Sequence, residues 1–258
     1  MNKLPLLLAL ALLLPAPVRA DDDDQLTRDE VSGFKKTLNA VLDAFGTPPA
    51  GFAKEKDDFN LPTNWSKSEG KIQAVQASVN RRLAIKGVMD AEKNTKQLGE
   101  DYQKKMLAAQ AKGDYAEMSR LAQEVQTKGS QNALSGVQAQ QDKKEPISLS
   151  VQLNSGVDEA IDPDMVVVEK PGVLGLKSKS GGEDDPKETV RLYYQPVALK
   201  DTKKLSRVRL FSSGATVPAK TSVGTILVEL TGPVADVEAW AKRANAAKIL
   251  ALINAPGK

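Results

Sequence analysis

Residues 89–127 read MDAEKNTKQLGEDYQKKMLAAQAKGDYAEMSRLAQEVQT, and the turn within them, Lys112-Gly113-Asp114, decides the first half of the fold. Before the turn, apolar residues fall at Leu98, Tyr102, Met106 and Ala109; after it they fall at Tyr115, Met118, Leu121, Ala122 and Val125. Each run lays one apolar stripe along a charged helix. Gly113 is free to take the left-handed conformation that closes a helix, and Asp114 can cap the amides that open the next. Glu117 stands where the partner of a capping box reaches back. So short a connection returns the second helix antiparallel to the first. The stretch predicts an αα-hairpin.

Upstream, the chain opens on an export signal. Met1-Asn2-Lys3 is a short positive start, Leu4 to Leu14 an apolar core, and Pro15 to Ala20 a breaker followed by small residues. Val18-Arg19-Ala20 fits the small-x-small pattern, which places cleavage between Ala20 and Asp21. The apolar run is too short to span about 30 Å of hydrocarbon, and no later segment approaches 18 apolar residues. There is no cysteine, hence no disulfide and no lipid-modified cysteine after cleavage. The reading is a periplasmic or secreted protein of a bacterial envelope. A eukaryotic secreted origin would make Asn64-Trp65-Ser66 a glycosylation acceptor.

Loss of Lys3 and Arg19 with the signal takes the formal charge from +3 to +1. Near-neutrality argues against bulk nucleic-acid binding. Histidine is absent too. That removes the Ser-His-Asp constellation, histidine acid–base chemistry and the commonest zinc ligand. A carboxylate pair or a Ser–Lys dyad remains open to catalysis, but the spacing of the 33 acidic residues singles out none. No cofactor and no metal are expected.

Asp21 to Asp24 is a solvated like-charge tail. Thr27-Arg28-Asp29-Glu30 is a capping box, followed at helical spacing by Val31, Phe34, Leu38, Val41, Leu42 and Phe45, and stopped by Gly46 and Pro48-Pro49. Its polar face mixes both signs of charge, so the helix packs on protein rather than lying on a membrane. Residues 47–66 carry Pro48, Pro49 and Pro62 and are predicted extended and irregular. Five of the eleven aromatic side chains lie between Phe34 and Trp65. They predict an arm strapped across the helices, with an aromatic platform for a sugar or peptide as the functional alternative. Ile72, Val75, Val79 and Leu83 continue a helical period, so a helix is expected from about residue 69 into the hairpin, with Arg81-Arg82 on its surface.

Residues 127–146 turn polar and lack a broad apolar face, which predicts a linker ending near Pro146. Period two then takes over: Ile147, Leu149, Val151 and Leu153 alternate with Ser148, Ser150, Gln152 and Asn154. Further strands are expected at 165–169, 173–178, 190–194, 205–211 and 225–230. Lys170-Pro171-Gly172-Val173 suits a type II turn joining two of them. Thr231-Gly232-Pro233 opens a final helix reaching about Ile253, with a terminal strand at 249–253 as the alternative. The fold class is α+β: a helical N-terminal half with the hairpin, then an antiparallel sheet carrying one C-terminal helix. The divisions are a signal peptide (1–20), an amphipathic helix with an aromatic arm (21–66), a hairpin region (67–126), a linker (127–146) and an α+β domain (147–258).

Two loop motifs carry little. Gly181 to Asp185 places three carboxylates in contiguity rather than at the alternating positions of a calcium loop, and Gly172-x-x-Gly175 lacks a phosphate-loop lysine. On the expected strands, Arg191 and Tyr193 share one face, and Arg207 and Arg209 share one face. Were those strands neighbours, three guanidinium groups and a phenol would line one surface suited to carboxylates or phosphates. The function expected is therefore an exported, non-catalytic binding or structural protein of the envelope, recognising an envelope protein or an anionic envelope polymer. The alternatives are a carboxylate-dependent hydrolase of envelope polymers and a carrier of an apolar ligand.

Overall fold

The computed structural model describes residues 24–143, 145–180, 187–211 and 215–253. The signal segment, the Ala20–Asp21 junction and the Gly181–Asp185 loop lie outside the described residues. The first helix, α1 (Arg28–Ala44), begins as expected: Thr27 Oγ1 accepts from the Glu30 amide at 3.3 Å, and Glu30 accepts from the Thr27 amide at 2.8 Å. Its face of Phe34, Leu38, Val41 and Leu42 is buried.

Residues 52–85 form strands. β1 (Phe52–Asn60) and β4 (Ala77–Ile85) pair antiparallel, and between them β2 (Lys67–Ser68) and β3 (Lys71–Ile72) make a small hairpin turning at Glu69-Gly70. This corrects both the irregular arm at 47–66 and the helix from about residue 69. Val75, Val79 and Leu83 are spaced by four, and four residues return a side chain to the same side of a strand as well as of a helix. The alternation that would have decided it, Ala77-Val79-Leu83-Ile85, is interrupted by Arg81. β1 carries Lys54, Glu55, Lys56, Asp57 and Asp58 because it is an edge strand, where charge discourages further pairing.

From β4 the chain enters α2 (Lys86–Lys112), turns at Gly113, and returns along α3 (Tyr115–Lys143) to β5 (Ile147–Leu153). Gly113 sits at φ 68°, ψ 22°, and Asp114 Oδ1 accepts from the Glu117 amide at 3.0 Å. Glu117 does not complete a capping box; its carboxylate takes Arg120 at 2.6 and 2.7 Å. The expected linker at 127–146 is helix as far as Lys143. Its seam is narrow and made of small residues: a Cβ on Gly87 would lie 2.4 Å from that of Ala139, and one on Gly136 3.3 Å from that of Ala91. Helices this close need no broad apolar stripe, which is why composition read the segment as a linker. Ala109 and Leu121 are buried in the seam, whereas Tyr115 is 81% exposed, off the stripe to which its spacing assigned it.

The remaining strands are β6 (Asp158–Ala160), β7 (Val166–Lys170), β8 (Val173–Ser180), β9 (Lys187–Tyr194), β10 (Arg207–Arg209) and β11 (Ile226–Pro233). Seven strands form one antiparallel sheet in the order β1-β4-β5-β11-β9-β8-β7, so the strands before the hairpin and those after it share one sheet. The β7–β8 turn has Gly172 at φ 78°, as a type II turn requires. Pro233 ends β11 and α4 (Val234–Arg243) follows it. The predicted helix to Ile253 breaks at Asn245, whose Oδ1 caps α5 (Ala246–Leu250) at the Lys248 amide, 3.0 Å away. The alternative terminal strand is therefore absent from the described residues.

One face of the sheet is covered by α1 over β4 and β5 and by α4 over β9 and β11, with α5 against α1. Val79, Leu149, Val151, Val228, Leu192, Val237 and Trp240 belong to that core. Phe34, Phe45, Phe52 and Trp65 are buried in it, so four of the five rings between Phe34 and Trp65 are core rather than the alternative aromatic platform. On the opposite face a two-stranded ribbon, β6 with β10, covers a second cluster around Leu174, Leu176, Tyr193 and Leu227.

Candidate functional site

The four residues singled out in the sequence are divided by β6. β10 pairs with β6 and not with β9, so the expected juxtaposition of Arg191 and Tyr193 with Arg207 and Arg209 on neighbouring strands does not occur. β6 is three residues of acidic sequence, Asp158-Glu159-Ala160, with no apolar alternation to announce it. Its pleat sends consecutive carboxylates to opposite sides. Asp158 takes Arg207 at 2.9 Å and Arg209 at 3.0 Å on the outer surface. Glu159 turns inward, accepts from the Tyr193 hydroxyl, and lies 3.5 Å from Arg191. Arg191 Nε also donates to Glu229 Oε2 at 2.9 Å, its cross-strand neighbour on β11.

The electrostatics follow from these pairs. The Arg207 hydrogen bond, with that of Arg209, holds the Asp158 carboxyl below the usual range. Burial, reinforced by Glu159, pushes the Tyr193 phenol up, so it remains a neutral donor. Arg191 is raised by its bond to Glu229. All three guanidinium groups already have carboxylate partners, which weakens their offer to an external anion.

A depression of about 720 Å³ lies between the approach to β4, the loop after β5 and the end of β10. Gln73, Gln76, Ser155, Asp158, Arg209 and Phe211 line it. A smaller one of about 110 Å³ shares Gln76 and Ser155 and is lined by Asn60, Ser78 and Gln152 as well. Sequence reasoning reached Arg209 alone of these, because amides scattered over three segments leave no spacing signal. The wall is held by Asn154 at φ 58°, whose Nδ2 donates to the carbonyls of Val75 and Ser222 at 2.8 and 2.9 Å and whose Oδ1 accepts from the Gly224 amide at 2.8 Å. Phe211 leans on Gly224, where a Cβ would lie 1.9 Å from its ring.

A second groove, about 520 Å³, runs where α2 leaves the sheet, lined by Arg82, Val88, Met89, Glu92 and Pro146 among others. It continues along the hairpin past Ala91, Ala133 and Val137. The main depression holds one carboxylate, Asp158, engaged by two arginines, and the grooves are open rather than closed apolar cavities. The second groove also holds two carboxylates, Glu55, which pairs with Arg82 at 3.0 Å, and Glu92. Among the described residues no cluster of three or more acidic side chains is placed to hold a metal ion. No described helix is long and apolar enough to cross a membrane. Compared with known proteins, the chain matches no family model, no curated protein and no solved structure.

Proposed function

We propose that this is an exported, non-catalytic binding protein of the cell envelope whose helical arm reaches a partner protein. One observation carries the reading. β4 and β5 are antiparallel neighbours, Leu83 opposite Ile147, and a two-residue turn suffices to join such strands. The chain instead places residues 86–146 between them. Ordering each residue costs roughly 1–2 kcal/mol of backbone entropy, and the hairpin recovers only a narrow seam for it. Helices of 27 and 29 residues extend roughly 40 Å at about 1.5 Å per residue. Leu107, Tyr115, Leu134 and Val137 stay exposed along that length. Such an insertion adds reach rather than connectivity. The absence of histidine and cysteine and the apolar N-terminal segment support the non-catalytic and exported parts of the reading. Recognition of an anionic polymer by Arg191, Arg207 and Arg209 has less support, since each is ion-paired.

Site-specific photocrosslinking in intact cells tests the proposal. A photoreactive residue at Tyr115 or Leu134 should yield a discrete envelope-protein adduct, and one at Lys54 on the β1 edge should not. Equal adducts from Lys54, or none from the arm, would contradict it.

A further inference from the structure

The main depression offers a recognition surface independent of the arm. Asn60, Gln76, Ser78, Gln152 and Ser155 come from three separate stretches of chain, yet all line the two adjoining depressions. Their side chains make no hydrogen bond to another protein group in the described residues. Gln73, beside them, uses its Oε1 to accept from Ser66 at 2.8 Å and keeps its amide hydrogens. Each of these amides and hydroxyls is both donor and acceptor, so together they complement a ligand whose groups are also both, as hydroxyls are.

Charge and shape narrow the class. Among the described residues the charged side chains lining the main depression are Asp158 and Arg209, bonded to each other at 3.0 Å, and Asp158 also takes Arg207 at 2.9 Å outside it. An anion would find no unpaired cation there. A peptide would ask for apolar side-chain pockets, but the apolar residues Leu210 and Val157 belong to the second core cluster. The half-buried Phe211 ring also lines it and supplies apolar surface. The volume of about 720 Å³ falls in the range of roughly 300–1,000 Å³ common to small-molecule sites. The geometry points to a binding site for a short neutral saccharide, held by Gln76, Gln152 and Ser155 with one ring face against Phe211.

The test is a titration of the ¹⁵N-labelled protein with maltotriose, cellotriose and tri-N-acetylchitotriose, set against trigalacturonate and a neutral tripeptide. At least one neutral trisaccharide should saturably shift the side-chain amide signals of Gln76 and Gln152. The Gln76→Ala/Gln152→Ala variant should bind at least tenfold more weakly with its backbone spectrum otherwise preserved. Gln76 is exposed, so Gln76→Ala alone gives a second reading should the double variant lose its fold. The inference is overturned if no neutral trisaccharide binds, if trigalacturonate or the tripeptide binds there more tightly, or if the variants bind as the parent does.

Discussion

The Arg81 guanidinium closes on the Asp57 carboxylate through two bonds, Nε to Oδ1 at 2.8 Å and Nη2 to Oδ2 at 2.9 Å. The side chains are 14% and 9% exposed, and they face each other across the β1–β4 pair on the helix-covered side of the sheet. Arg81→Ala leaves a carboxylate that is nearly out of water with only Lys54, 2.6 Å away, as partner. A loss of about 2 kcal/mol is expected, below the range of a fully buried pair broken on one side. Urea unfolding of the variant measures it, and a change under about 0.5 kcal/mol would show the pair to be ornamental.

The same pair sets an acid limit. Arg81, followed by Lys54, holds the Asp57 carboxyl below its ordinary 3.8. A depressed carboxyl contributes stability that is present above the unfolded-state value and is lost as pH falls through the folded one. Melting temperature should therefore fall below about pH 4, and Asp57→Asn, weaker at pH 7, should fall less steeply over that interval. Parallel curves for the two proteins would assign the acid limb to other carboxyls.

At the arm's tip, Gly113→Val puts a β-branched residue at φ 68° and should destabilise the turn by about 1–2 kcal/mol. Asp114→Ala should cost about 1 kcal/mol by removing the cap on the Glu117 amide. Amide exchange is the measurement: protection should drop in residues near the turn and remain unchanged in β5 and β11. Loss in the sheet as well would mean that arm and body unfold as one unit.

At the arm's base, Gly87→Val is expected to force α2 and α3 apart, because the added Cβ meets that of Ala139 2.4 Å away. Exchange should quicken along the first turns of α2 and the last of α3. An unchanged exchange pattern would show that the helices can shift to admit the side chain.

Much of this fold was legible, and the misreadings have physical causes. Thr27, Gly113 and Asp114 acted through their own backbone neighbours, so local rules located α1 and the hairpin. The alternation of Ile147 to Leu153 marked β5 because one of its faces is core and the other is not. Arg81 concealed β4, since a charged residue on an inward-facing position is explained only by Asp57, 24 residues earlier. Gly136 and Ala139 concealed the end of α3, since small residues pack only when a partner helix comes close. The candidate site was the least legible part. Arg209 stood out by its charge, but β6 separates it from Arg191 and Tyr193, and the amides gathered around it come from segments that only the sheet brings together.

The proposed function makes the arm a module carried by a body that does not need it. Replacing residues 86–146 with a short Asn-Gly turn and following thermal unfolding by circular dichroism tests it most directly. Helical signal should fall while one cooperative transition survives within about 8 °C of the parent's, the loss of Val88 and Ala139 packing being worth roughly 1–2 kcal/mol. A shortened chain with no cooperative transition would contradict it, because the hairpin would then be part of the core that holds the sheet together.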